Sequence, residues 1–112
     1  MVDISSIALS GLAAGQKRLA VAASNVVNAN STGYKALGID QSSQDNGGVI
    51  ARAVERNPAT LPVVGADGAV GERPNVSLEE EVVNADMAVY GAQASLKVLQ
   101  AQDRMNKYLL DI

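Results

Sequence analysis

A chain of 112 residues that is 47% hydrophobic but only 3% aromatic, with three Tyr and no Trp or Phe, suits close helix–helix seams better than a bulky globular core. The lack of Cys and His excludes thiol nucleophiles, disulfides, thiolate or imidazole metal ligands and the usual neutral-pH base. The net charge of −3 is uneven, with its acidic excess after residue 57, and no basic stripe or polybasic anchor is available for nucleic acid or a membrane surface.

Residues 4–29 read as a helix with Asp3 as its N-cap. Ala8, Leu12, Gly15, Leu19, Ala22 and Val26 recur at spacings of 4, 3, 4, 3 and 4, a heptad rhythm. Small residues at one seam position let a partner helix approach closely. Ile4, Ile7 and Val27 fall outside the stripe, which implies a wide stripe or a second partnered face. Gly11 and Gly15 form a GxxxG, but Gln16, Lys17 and Arg18 follow at once, so close packing of a soluble helix is favoured over a membrane dimer face. No run reaches the roughly 18 apolar residues of a membrane span. Asp3 is the first charge, no positive n-region precedes it, and no cleavable signal peptide is expected.

Asn30-Ser31-Thr32-Gly33 is expected to end this helix, with Asn30 and Gly33 as its capping residues. Residues 34–74 read as an irregular connector containing a possible short β-hairpin. Residues 41–48 are a polar loop, 49–56 a modest strand, Leu61–Val64 an edge strand demoted by Pro62, and 65–68 a turn. Residues 78–111 read as the longest helix, with a capping box of Ser77 and Glu80 and a solvated first turn at Glu79, Glu80 and Glu81. Its seam runs Val82, Ala85, Val89, Ala92, Leu96, Leu99 and then drifts to Val98, Met105, Leu109 and Ile112. At about 1.5 Å per residue it spans roughly 50 Å, more than the shorter helix can cover. The fold expected is therefore mainly α, an antiparallel, coiled-coil-like pair of terminal helices. Its parts are residues 1–33, the connector 34–74 and residues 75–112, the two ends forming one domain.

Several motifs are read as bland. The acidic group at 79–81 with Asp86 spreads around a helix and converges on no cation. Asp40 to Gly47 lacks the ligand pattern of a calcium loop, and the sequons at Asn30 and Asn75 are of a kind frequent by chance. No catalytic, cofactor or metal residues, and no small-molecule substrate, are assigned.

The run from Ser24 to Lys35 is less ordinary. Asn25, Asn28 and Asn30 cluster at a helix end although Asn is a poor helix former, and capping leaves Asn25 and Asn28 unexplained. Their amides are suited to bind backbone groups of the following loop or of a neighbouring chain. Asn25 and Asn28, then Thr32, Gly33, Tyr34 and Lys35, resemble the signature of the bacterial flagellar rod and hook family. Val27 departs from that family, which usually has Ala or Asn there. Pro74-Asn75-Val76-Ser77-Leu78, followed by Glu80 to Asn84, resembles the family's approach to its last helix, and the Leu109-to-Ile112 end continues the likeness. Ala85-Asp86-Met87 is less apolar than the family norm. The short middle and the Pro74-Asn75-Val76 segment resemble the proximal rod proteins most.

The resemblance implies a non-enzymatic subunit of the basal-body rod. Its partners would be copies of itself, other rod and axial proteins, and the flagellar type III export apparatus, and its terminal helices would stack into a torque-transmitting tube in the periplasm-spanning rod. The signature residues Asn25, Asn28, Asn30, Thr32, Gly33, Tyr34, Pro74, Asn75 and Val76 are the expected assembly positions. Leu12, Leu19, Val26, Val82, Val89, Leu96, Leu99 and Leu109 are the expected seam. A soluble coiled-coil adaptor shares the heptads but gives no reason for the Asn-rich turn.

Overall fold

The computed structural model describes residues 3–112. Its elements are α1 (Ile4–Val27), β1 (Leu37–Ser43), β2 (Val49–Glu55), β3 (Thr60–Val64), β4 (Val70–Pro74) and α2 (Leu78–Leu110), so about half the chain is helical.

Helix α1 starts as expected: the Asp3 carboxylate accepts from the Ser5 N–H at 3.1 Å. It stops earlier than residue 29. The Asn28 N–H and side-chain amide both donate to the Ser24 carbonyl, at 3.0 and 2.9 Å, and the chain turns there. Asn28 is thus the cap, and Asn30 is exposed beyond it. Gly33 does adopt the left-handed backbone, with φ of 84°.

The two helices run antiparallel. Gly11 faces Ser95 and Gly15 faces Ala88 and Ala92. A Cβ on Gly11 would lie 2.6 Å from the Ser95 Oγ, and one on Gly15 would lie 3.1 Å from the Ala88 carbonyl oxygen. Both glycines are therefore close-approach positions of the helix pair. Helix α2 has 33 residues against 24 in α1, and its end outruns its partner: every residue from 103 to 112 is exposed. The molecule measures 77 × 25 × 15 Å, with a radius of gyration of 19.2 Å. A compact chain of this length would have about 13 Å. Its accessible surface is 7834 Å², against about 5,800 Å² for a compact protein of this mass.

The connector is more regular than its sequence suggests. It contains two antiparallel hairpins, β1 with β2 (Leu37 opposite Glu55, Ser43 opposite Val49) and β3 with β4 (Thr60 opposite Pro74, Val64 opposite Val70). Strands β1 and β4 were not expected. LGIDQSS is too polar and VGERP too rich in Gly and Pro to read as strands alone, so their partners impose the conformation. Both turns are built alike. Gln44 donates to the Gly48 carbonyl and Gly47 to that of Gln44, while Gly65 donates to Ala69 and Gly68 to Gly65. Gly47 and Gly68 each take a φ of 81°, which a three-residue hairpin loop demands of its last residue. In the ladder set by the second turn, Pro62 and Pro74 both fall at positions whose backbone faces outward, where a missing N–H removes no cross-strand bond.

The first hairpin packs on α1, whereas β3 and β4 pack on no other element and hang from their base. There the Ala59 carbonyl accepts from both Ala36 N–H (3.1 Å) and Asn75 N–H (3.0 Å), tying the two hairpins together. The apolar core is small: Ala8, Ala14, Val21, Ala22, Ala36 and Ala88.

Two expectations about the start of α2 fail. Ser77 is the N-cap but makes no side-chain capping bond, because its hydroxyl turns to the Glu79 carboxylate at 3.4 Å, so no capping box with Glu80 forms. The first turn is not wholly solvated either. Glu81 is 1% exposed and pairs with Arg56.

Candidate assembly surface

At the base of the molecule, where α1 ends and α2 begins, polar side chains replace the missing apolar core. Asn25 is fully buried on the last turns of α1. Its Nδ2 donates to the Leu37 carbonyl at 2.8 Å, and its Oδ1 accepts from the Leu37 N–H at 3.0 Å and the Tyr34 hydroxyl at 2.8 Å. Leu37 lies at an outward-facing position of β1, so the amide of Asn25 stands where a neighbouring strand would be. One side chain thus closes a sheet edge onto a helix. Tyr34 also meets the Ser24 hydroxyl at 3.1 Å, and Ser31 donates to the Asn28 Oδ1 at 3.2 Å.

On the opposite wall, Arg56 follows β2 and reaches two ways. Its Nη1 donates to the Asn75 carbonyl at 2.8 Å, and its Nη2 meets the Glu81 carboxylate at 2.5 Å. Asn75 in turn donates its side-chain amide to the Pro58 carbonyl at 2.8 Å. Pro74 is buried and Val76 half-buried beside it, while Thr32 and Lys35 are exposed on the turn. Of the signature residues, then, Asn25, Asn28, Gly33, Tyr34, Pro74 and Asn75 build the base. Among the described residues no buried side-chain nitrogen or oxygen lacks a partner.

The seam divides into small and large residues. Ala8, Gly15, Ala22 and Ala88 are buried between the helices. The larger ones lie beside that line. Leu12, Leu19, Val89 and Leu96 border an open apolar groove floored by Ala88 and Ala92. Leu12 and Leu99 are half-buried, and Leu109 is 63% exposed at the far end. Val26 and Val82 are exposed as well. Past Gln102, Met105, Leu109, Leu110 and Ile112 are exposed, with no cover from the described residues.

Arg56, Glu81 and Ser10 escaped the sequence reading. Glu81 stands seven residues before Ala88 and fourteen before Ser95, on the stripe that faces α1. An acid on that stripe was the available signal. Ser10, whose Oγ accepts from the Val49 N–H at 3.1 Å, left no comparable mark.

This geometry defines a class: an elongated helical hairpin with a polar, self-satisfied base and an apolar, uncovered shaft. Residues 6–35 match the family model described as flagella basal body rod protein. The likeness to the flagellar basal-body rod family is thereby found for α1 and the Asn-rich turn after it. The matched segment contains the whole signature from Asn25 to Lys35 and stops short of the Pro74-Asn75-Val76 motif. No curated protein matches the chain. Among the described residues no helix is long and apolar enough to cross a membrane.

Proposed function

We propose that this chain is a subunit of the basal-body rod that assembles through its two terminal helices into a helical tube and transmits torque along it. The observation that carries the reading is the bare apolar length of α2, from Leu96 (47% exposed) through Met105 (55%) to Leu110 (85%). An exposed apolar length of this kind belongs against a partner. Contacts between different patches of identical copies repeat without closing, which generates a helical assembly. The two ends act as one domain and residues 34–74 as the connector between them. Its partners are copies of itself and other rod and axial proteins, packed in coiled-coil fashion along the shafts. The type III export apparatus delivers it to the periplasm-spanning rod. The short connector and the Pro74-Asn75-Val76 segment favour a proximal rod subunit.

The test is Leu109→Asp, expressed in a motile strain lacking its own copy, with export and swimming scored separately. Burying that carboxylate in a helix seam carries a desolvation cost that no neighbour offsets. The variant should be exported and leave the cells non-motile. Normal swimming would sink the reading.

A further inference from the structure

We propose that the β1–β2 hairpin is a clasp that fixes the register of the two long helices, with the Arg56–Glu81 pair as its catch on α2. The need for one follows from the seam. The α1 side offers Ala8, Gly11, Gly15 and Ala22, and the α2 side offers Ala85, Ala88, Ala92 and Ser95. Sliding α2 by a turn one way replaces Ser95 opposite Gly11 with Ala92, small for small, whereas sliding it the other way brings Leu99 there. Among the described residues Leu12, Leu19, Val89 and Leu96 border the contact line, and the one long side chain seen to reach across it is Arg18, whose Nη2 lies 3.7 Å from where a Cβ on Gly91 would stand. Such a seam holds the helices together but opposes a slip toward Ala92 only weakly.

The hairpin supplies what the seam lacks. It grips α1 at three heights: Ser10 accepts from the Val49 N–H at 3.1 Å, Arg18 donates to the Gln41 Oε1 at 3.4 Å, and Asn25 takes both backbone groups of Leu37. It cannot travel along that helix without breaking all three. The same hairpin continues into Arg56, whose own N–H donates to the Ala36 carbonyl at 2.8 Å and extends the β1–β2 ladder. Arg56 then holds Glu81 on the buried stripe of α2. A one-turn slip would bring Leu78 or Ala85 opposite Arg56 and strand the Glu81 carboxylate in the apolar seam. The pair therefore forms in one register only. Fixing registry is the best-attested use of a buried polar contact, since apolar residues of similar volume serve bulk stability equally well. Register also sets how far α2 projects past α1. A slip of one turn moves the tip by about 5.4 Å, which would misplace Met105 and Leu109 against a neighbour. That last consequence rests on the rod reading, whereas the clasp does not.

The chain has no cysteine of its own, so engineered pairs in the full-length protein report cleanly. A Cβ on Gly11 would lie 3.7 Å from the Ser95 Cβ, within disulfide range. Gly11→Cys with Ser95→Cys thus traps the native register. Gly11→Cys with Ala92→Cys or Leu99→Cys traps chains slipped by about a turn either way. With Arg56 and Glu81 present, oxidation should bridge the 95 pair and leave the other two largely open. In an Arg56→Met, Glu81→Leu background the helical circular dichroism should persist, while bridging at 92 or 99 rises several-fold at the expense of 95. Exchanging the charges, Arg56→Glu with Glu81→Arg, should return bridging to 95. If the apolar background still bridges at 95 alone, the seam sets its own register and the proposal is overturned. It is equally overturned if that background unfolds outright, for the pair is then a general folding contact.

Discussion

The base of the molecule and the tip of α2 are stabilised by opposite means. At the base the largest fully buried side chains are polar, Glu81 and Asn25, and each is met by named partners within the chain. At the tip, from residue 103 onward, the side chains include Met105, Leu109, Leu110 and Ile112, all exposed and none covered by α1. Directional bonds are short-ranged and satisfied locally, so the base can be complete in one copy. Apolar area is non-directional and gains only when something covers it. The chain has thus put its specific contacts where it must fold alone and its adhesive surface where it does not.

The contrast breaks most sharply at Arg56. Arg56→Ala leaves Glu81, which is 1% exposed, without its counter-charge, and should destabilise the isolated chain by about 3–5 kcal/mol in urea unfolding. Glu81→Ala should cost less, because the Arg56 side chain keeps 21% of its surface in water and can turn outward. An equal loss in the two variants would mean that the burial of Glu81 is not what matters. Asn25→Ala removes three hydrogen bonds and strands the outward backbone groups of Leu37. A loss of about 2–3 kcal/mol is expected, together with faster hydrogen exchange at the Leu37 amide.

Gly33 sharpens the comparison on a smaller scale. Nothing lies within 4 Å of where its Cβ would be, so any penalty comes from the backbone at φ of 84° alone. Gly33→Ala should cost about 1 kcal/mol, and the β-branched Gly33→Val more, about 1–2 kcal/mol. The smallest effect belongs to the tip. Leu109→Asp should leave the unfolding free energy of the isolated chain within about 0.5 kcal/mol of its parent, although on the proposed function it should abolish motility. Hydrogen exchange in that chain should show protection around Asn25 and little beyond residue 103. A large stability loss in Leu109→Asp would erase the distinction between base and tip.

What was legible in the sequence follows the range of the interactions. Heptad rhythm is written into consecutive turns, so both helices and the excess length of α2 are readable, as is the Gly33 turn. The Asn25 puzzle is readable too, since an amide without a capping role within the helix end points to the following loop, and Leu37 is that loop's first strand residue. The strands β1 and β4 are not, because Asp40, Gln41 and Gly71 are in strands through pairing and not through preference. The Arg56–Glu81 pair lies 25 residues apart in sequence and depends on how the connector folds back. No local pattern encodes that, although the acid in phase with Ala88 marks its α2 end. The expected capping box at Ser77 failed for a related reason. Glu79 is as near as Glu80, and a sequence pattern cannot say which carboxylate the hydroxyl will meet.

Pro62 in the second hairpin bears on a hazard that the helices do not face. β3 and β4 form a sheet of two strands whose outer part, residues 62–64 and 70–73, is exposed, and Val64 and Val70 stand opposite each other near its turn. Where many copies of one chain crowd together, an unguarded strand margin invites the next chain to add on, and the addition propagates as a cross-β fibril. Pro62 on the exposed β3 margin presents a ring where an incoming strand would seek an N–H, while Pro74 is buried at the base of β4. The hairpin can therefore stand free of its own protein without seeding amyloid. Replacing Pro62 with threonine and following thioflavin fluorescence at high concentration would expose that protection, since the Pro62→Thr chain should fibrillise where the parent stays clear.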